Sequence, residues 1–247
     1  MKLCAVQMAS DKGNLTGNLR RHLECIEHAA QLGARLVVFP ELSLSGYEPS
    51  LARELAQLAD SSLLDPVQAL CDRHGISVAL GLPVSAADGV QIGMSVLRPG
   101  APRLAYAKQR LHADELPFFV AGNQPLVFAA AERQIAPAIC YESMFLEHAE
   151  QARQLGADVY LVSVAKTTKG IREGFEHYPQ VAKRLGIPVL MANCVGPADT
   201  FVGAGSSACW DEHGQLLACL DEHSEGLVVL DTASMSAEVV LLDGVPA

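Results

Sequence analysis

Three polar residues stand where apolar runs end. Glu41 follows Leu36-Val-Val-Phe-Pro40, Lys108 ends Arg103-Leu-Ala-Tyr-Ala107, and Cys140 closes Gln134-Ile-Ala-Pro-Ala-Ile139. Brought together, they form a coherent chemical set. A shielded carboxylate takes a thiol proton, an ammonium stabilises a developing oxyanion, and the sulfur attacks a carbonyl carbon. Read one at a time, each also has a plainer role: a solvent-facing glutamate, a surface lysine, a cysteine packing as a small hydrophobe. The pattern after Cys140, from Glu142 to Ala152, predicts a helix. A thiol at such a strand-to-helix junction lies near the positive end of the helix dipole, which predicts a lowered pKa. His148 lies eight residues further along the same stretch, too far to face the thiol, so a Cys–His pair needs a histidine from a distant segment.

Other chemistries find little support. None of the eight histidines sits three to five residues from another, and there is no Cys-x-x-Cys pair, so no metal or other cofactor is expected. Gly203-Ala-Gly205-Ser-Ser-Ala208 imitates a dinucleotide loop, but a strand pattern follows it instead of a helix. No Gly-x-Ser-x-Gly elbow occurs. Seven cysteines, an odd number, read as reduced thiols in the cytoplasm; Met1 to Met8 lacks the longer apolar core of an export signal.

The elements that must position the three residues are marked by four repeats of one local pattern. A polar amphipathic stretch ends at Gly33, Gly75, Gly156 and Gly186, and each glycine precedes a short apolar run. Such a pattern predicts a helix stopped by a left-handed glycine and then a buried strand. The first helix carries Leu15, Leu19, Leu23, Ile26 and Ala30 on one stripe, with Asn14 or Thr16 as its cap. Strand-rich stretches lie between and after these units, and Arg98-Pro-Gly100 and Asp211-Glu-His-Gly214 read as hairpin turns. The chain of 247 residues suits one α/β domain, 1–247, because no linker or low-complexity stretch divides it. Eighteen basic residues against 28 acidic ones give a net charge of −10, which argues against nucleic acid, and no apolar run is long enough to span a bilayer.

At these residues the chain resembles the nitrilase, or carbon–nitrogen hydrolase, superfamily. The resemblance rests on Phe39-Pro-Glu41-Leu with Leu44-Ser-Gly-Tyr47, on Lys108-Gln-Arg-Leu111 and on Ile139-Cys140-Tyr-Glu142, in that order. Ala5-Val-Gln7, Glu115, Gly122, Ala192-Asn193, Gly196, Gly203 and Ser206 fit the same pattern. The resemblance implies a four-layer αββα sandwich with mixed sheets, assembled as a homodimer or larger homo-oligomer. It implies Glu41 as general base, Cys140 as nucleophile, Lys108 as stabiliser of the transition state and Glu115 as an auxiliary carboxylate. It also implies Tyr47, Phe119 and Tyr141 as substrate-binding residues, with the Tyr141 backbone N–H as a second oxyanion donor; Lys166 is a further substrate-binding candidate, on the strength of its charge.

The chain departs from the family pattern at Glu142, Met144 and Leu146, where an Asp, an Arg and a Pro are common, and in Ser163-Val-Ala-Lys-Thr-Thr-Lys-Gly-Ile-Arg172, which replaces a Pro- and Trp-rich segment. That stretch reads as a loop carrying Lys166, Lys169 and Arg172, and one of these cations is expected to meet a substrate carboxylate. The expected reaction is hydrolysis of a small linear amide, with an ω-amide or an N-carbamoyl acid favoured, through a cysteine thioester with release of ammonia. Nitrile hydrolysis and N-acyl transfer are the alternatives on the same residues. A non-catalytic binding or assembly protein on the same fold is the alternative of another class. The only partners expected besides further copies of the chain are small-molecule amides, with neither nucleic acid nor membrane.

Overall fold

Alternating apolar residues within short β-prone runs account for the strands that carry the site. In the first, β1 (Lys2–Gln7), Leu3 and Ala5 point to one face, Cys4 and Val6 to the other, and all four are fully buried, which requires packing on both sides. The computed structural model describes residues 1–242. Helix α1 (Leu15–Gln31) follows β1 and returns the chain to β2 (Ala34–Val38). A short α2 (Ala52–Leu55) and α3 (Asp65–His74) lead to β3 (Ser77–Ala86), β4 (Gly89–Arg98) and β5 (Ala101–Ala107).

The second half repeats the scheme. It runs β6 (Phe128–Ala130), β7 (Arg133–Ile139), α4 (Leu146–Gln154), β8 (Val159–Val164), α5 (Thr168–Leu185) and β9 (Val189–Asn193). The hairpin β10 (Val195–Ala198) and β11 (Phe201–Ala204) precedes β12 (Ala208–Trp210), β13 (Leu216–Cys219), β14 (Gly226–Asp231) and β15 (Ser236–Leu241). One sheet has seven strands in the order β15-β14-β1-β2-β3-β4-β5, the other six in the order β13-β12-β9-β8-β7-β6. In each, the central pairs are parallel (β1-β2-β3 and β7-β8-β9) and the flanking ones antiparallel.

The two sheets pack face to face. Leu3, Leu36 and Val38 of one meet Ile135, Leu161 and Leu190 of the other in a single inner core. The outer faces are covered by α1 with α3 and by α4 with α5, so the expected αββα order of layers is found. Fully burying one such Leu or Ile contributes about 1.5–3 kcal/mol. Truncating Leu36 or Leu161 to Ala is therefore a change of about 2–5 kcal/mol once the cavity is included.

Three local readings need correction. The stripe on α1 is rotated: Asn18 and His22 are buried with Leu19 and Ile26, while Leu15, Leu23 and Ala30 are only partly covered. His22 is accommodated because its ring bonds to the Asn18 carbonyl at 2.7 Å and to Ser43 Oγ at 2.9 Å. The segment after Cys140 is a 3₁₀ turn, Cys140–Met144, broken at extended Phe145 before α4 begins. Finally, Lys169 and Arg172 lie on α5 instead of in a loop, and both are exposed.

Candidate active site

The carboxyl-terminal ends of β2, β5, β7 and β8 meet at one edge of the sandwich, and the two sheets are hydrogen-bonded to each other there. Ser163 Oγ donates to the Phe39 carbonyl at 2.8 Å, and the Glu41 N–H donates to the Val164 carbonyl at 3.3 Å. Glu41 itself lies in the turn after β2. That turn presses on β3 at Gly81, where a Cβ would come within 2.4 Å of Leu42 N and 2.7 Å of the Pro40 carbonyl. A glycine inside an otherwise apolar strand is the signature of such a close backbone approach.

Lys108 leaves the end of β5 with its backbone fixed on both sides. Its N–H donates to Ile92 at 2.9 Å, and its carbonyl accepts from Gly122 at 2.8 Å. Its side chain is fully buried, and the ammonium lies 2.8 Å from Glu41 Oε1 and 2.6 Å from Glu115 Oε1. Glu115 is held in turn by the Tyr47 hydroxyl at 2.8 Å and by the His112 N–H at 2.7 Å. Tyr47 packs edge-on against Phe201 of the β10–β11 hairpin, with ring centroids 5.5 Å apart.

Cys140 begins the turn after β7 in a left-handed conformation, φ +44°, that L-residues adopt at a cost of about 1–2 kcal/mol. Its carbonyl accepts from Ser143 Oγ at 2.6 Å, and Ser143 is bonded to the Tyr178 hydroxyl of α5 at 2.8 Å. Glu142 fixes the other side. Its fully buried carboxylate accepts from the Ile139 N–H (2.7 Å), from the Tyr106 hydroxyl (2.7 Å) and from the Gln109 N–H (2.6 Å). One side chain thus ties the residue before Cys140 to the residue after Lys108. The Tyr106 hydroxyl also meets His148 Nε2 at 2.9 Å, which accounts for that histidine without placing it on the thiol.

The charges follow from this packing. Desolvation raises the pKa of Glu41 to about 7; Lys108 works against that rise and Glu115 adds to it. A raised acid beside an ammonium at first looks contradictory, but one cation is shared by two carboxylates and cannot neutralise both. Burial opposes the Lys108 charge, yet Glu41, Cys140 and Glu115 outweigh it and keep its pKa above the usual lysine value. The thiol of Cys140 is pushed up to about 11 by burial and by Glu41, against the pull of Lys166 and Lys108. The lowered thiol pKa expected from a helix dipole is therefore not found. A single 3₁₀ turn supplies little dipole, and burial next to a carboxylate outweighs it. Glu41 Oε2 is sealed from solvent without a hydrogen bond of ordinary geometry, and the thiol is near enough to bear on its charge. Such an orphan acceptor is suited to taking a proton from sulfur.

Lys166 occupies the turn between β8 and α5, its backbone held by Asn193 and Ala204. Tyr141 lies at the rim, 36% exposed, edge-on to His112 and Phe145 at 5.1 and 5.0 Å. Phe119 is 4% exposed and packs into the inner core between the sheets. The residues that sequence patterns did not single out are Glu142 as a clamp, Gly81, Tyr106, Ser143 and Tyr178; only Gly81, as a glycine within a strand, carried a local signal. A groove of about 590 Å³ between α1 and α3 contains none of these residues and is an open trough flanked by Arg20, Glu24, Glu27 and Arg73. Among the described residues, no cluster of His, Cys, Asp and Glu could hold a metal ion, and no helix is long and apolar enough to cross a membrane.

A thiol, a carboxylate and a buried ammonium at the strand ends of an αββα sandwich define a nitrilase-type protein. The family model for carbon-nitrogen hydrolases matches residues 2–239, and the chain belongs to that family. Among solved structures it is similar to the nitrilase-superfamily amidase of Nesterenkonia AN1, with a TM-score of 0.85 and 26% identity, covering 94% of this chain and 91% of that one. A form of that amidase in complex with butyramide matches at the same TM-score and 25% identity, over 98% of this chain and 90% of that one. Among curated proteins it is similar to the glutamine-dependent NAD(+) synthetases of Xanthomonas campestris pv. campestris (29% identity over 230 residues) and Acinetobacter baylyi (24% over 222 residues). Each match covers 87% of this chain but 41% of the synthetase.

Proposed function

We propose that the protein is an amidohydrolase that cleaves the C–N bond of a small linear amide, with an ω-amide or an N-carbamoyl acid favoured. The observation that carries the reading is the shared ammonium: Lys108 bridges Glu41 and Glu115 directly beside a strained cysteine. In the reaction, Glu41 takes the thiol proton as sulfur attacks the amide carbon. The Lys108 ammonium and the Tyr141 backbone N–H receive the oxyanion. The C–N bond breaks as the nitrogen takes the proton from Glu41 and leaves as ammonia, with the acyl group on sulfur. Glu41 then draws a proton from water, hydroxide adds to the thioester, and the thiol is restored with release of the acid. Because the thiol rests in its neutral form, proton removal and attack belong to one step. The glutamine dependence of the related synthetases supports an ω-amide within this class, since the glutamine side chain is one.

The test is ammonia release over a panel of ω-amides, N-carbamoyl acids, neutral amides and nitriles, with intact mass measured during turnover. The expected result is ammonia together with a transient acyl adduct on Cys140, both lost in Cys140→Ala while the fold is kept. Undiminished turnover by Cys140→Ala refutes the mechanism, and products containing a new amide bond assign the site to acyl transfer.

A further inference from the structure

Of the three cations in the stretch after β8, two are accounted for. Lys169 is exposed and pairs with Glu173 one turn along α5 at 3.8 Å, and Arg172 lies on the solvent face of the same helix. Lys166 is different. It is 7% exposed, and among the described residues its ammonium makes no hydrogen bond or ion pair. Its backbone is immobilised: the N–H donates to Asn193 Oδ1 at 2.8 Å, and the carbonyl accepts from Asn193 Nδ2 at 3.3 Å and from the Ala204 N–H at 3.0 Å. Its aliphatic stem runs past Gly170, where an added Cβ would sit 3.3 Å from Lys166 Cβ and Cγ. Nζ is nevertheless absent from the orphaned polar atoms sealed from solvent, so the small remaining exposure of the residue includes the ammonium.

An ammonium on a side chain this deeply buried, with no protein partner and only a narrow opening to solvent, is left to be satisfied by whatever enters that opening, water or an anionic ligand group. Lys108 cannot be compared with it, because its charge is already taken by two carboxylates. Burial works against the Lys166 charge, yet its pKa stays on the raised side of the ordinary lysine value through the groups around it, Tyr178, Cys140, Glu41 and Glu173, so the side chain is cationic and lies within the electrostatic reach of Cys140. The neutral thiol offers it no permanent counter-ion.

We infer that the Lys166 ammonium is a carboxylate-binding subsite, which anchors the acid end of a substrate whose amide end lies at Cys140. The inference rests on the amidohydrolase reading for the identity of the other end. It selects monoamides of short dicarboxylic acids, and carbamoylated amino acids of similar length, over neutral aliphatic amides. The neighbouring Lys169 and Arg172 take no part in it.

The test separates binding from turnover by using succinamate and butyramide, four-carbon amides that differ in a carboxylate against a methyl group. Calorimetric titration of Cys140→Ala is expected to show succinamate binding about 10- to 100-fold more tightly, the range of a charge-assisted contact. In Cys140→Ala/Lys166→Met the preference is expected to vanish, and in Cys140→Ala/Lys166→Arg to survive in part. Lys166→Gln serves as a second neutral variant, and removing an uncompensated buried charge leaves the fold intact, as thermal melting will report. Equal binding of the two amides, or a preference that persists in both neutral variants, overturns the inference. With Cys140 in place, the succinamate-to-butyramide ratio of kcat/KM is expected to fall by the same factor in Lys166→Met. If succinamate binding depends on Lys166 but no amide is turned over, the amidohydrolase reading fails and the carboxylate subsite stands. If butyramide and succinamate are turned over equally, the subsite fails and the amidohydrolase stands. A Lys166 variant that shifts only the pH dependence of thiol alkylation assigns the lysine to the thiolate and overturns the anchor.

Discussion

The Lys108 ammonium lies 2.6 Å from Glu115 and 2.8 Å from Glu41, and no part of the lysine side chain meets solvent. Two carboxylates competing for one cation leave the pair with excess negative charge. Burial, with that excess as a smaller addition, holds Glu41 near 7 instead of in the ordinary carboxylate range.

Activity is expected to rise with pH along an acid limb centred near 7, because Glu41 can accept the thiol proton only when ionised. The charge of Glu115 raises the Glu41 pKa, so Glu115→Gln is expected to move the limb to lower pH while lowering kcat. Initial rates from pH 5 to 9 in both proteins check this. A limb that does not move in Glu115→Gln removes the shared-cation account.

Glu142 accepts three hydrogen bonds from groups flanking Lys108 and Cys140. Glu142→Gln turns one acceptor into a donor facing a backbone N–H, and the expected loss is about 1–3 kcal/mol of stability. Because the clamp sets the spacing of nucleophile and ammonium, kcat is expected to fall much further than KM rises. Urea titration and steady-state kinetics of Glu142→Gln and Glu142→Asp measure the two effects separately; a proportional rise in KM with unchanged kcat contradicts the positioning role.

The left-handed conformation of Cys140 predicts an unusual order of stability. In a conformation open to any L-residue, Gly is less stable than Ala by about 0.5–1 kcal/mol. At this position Cys140→Gly is expected to match or exceed Cys140→Ala, since only glycine is free of the steric penalty at positive φ. Paired thermal melts of the two inactive variants give the answer, and Ala above Gly by the usual margin means the turn is unstrained.

Stability in mild acid is the balance of opposite terms. His22 and His148 are held neutral by burial, with pKa values lowered to about 4, so each supplies stability that is complete above about 6.5 and disappears as pH falls through 4. Each contribution is on the order of 3 kcal/mol. Glu41, raised to about 7, acts in reverse: its contribution is complete below about 4.5 and is lost as pH rises through 7. Between pH 4.5 and 6.5 the terms partly cancel. Glu41→Gln is therefore expected to make the melting temperature climb more steeply with pH in that window than it does in the unmodified protein, and an unchanged slope refutes the assignment.

How much of this was legible depends on how local each cause is. Glu41, Lys108 and Cys140 could be read as strand-terminal residues because apolar runs mark strand ends. Their convergence at one edge of the sandwich depends on strand order, including β14 and β15 beside β1, which no local pattern encodes. The glycines at 75 and 186 are left-handed helix caps, as their spacing predicts. Buried Asn18 and His22 escaped because periodicity measures hydrophobicity, whereas these side chains are buried by hydrogen bonds to Asp11, Leu44 and Ser43. The sequence shows no burial difference between Lys166 and its neighbours Lys169 and Arg172; it is the start of α5 at Thr168 that puts those two on an exposed helical face. The direction of the Cys140 pKa was misjudged because a dipole is local, while desolvation comes from segments far away in sequence.

The seven-stranded sheet carries Glu41 and Lys108, the six-stranded sheet carries Cys140 and Lys166, and the two are fastened at Phe39–Ser163 and Glu41–Val164. Neither sheet alone holds both Glu41 and Cys140. The first sheet, moreover, draws on distant parts of the chain, with β14 pairing to β1 and β15 pairing to β14. Glu41 and Cys140 therefore face each other only once both sheets have formed and docked, so any change that loosens the contact between the sheets separates the carboxylate from the thiol without touching either residue.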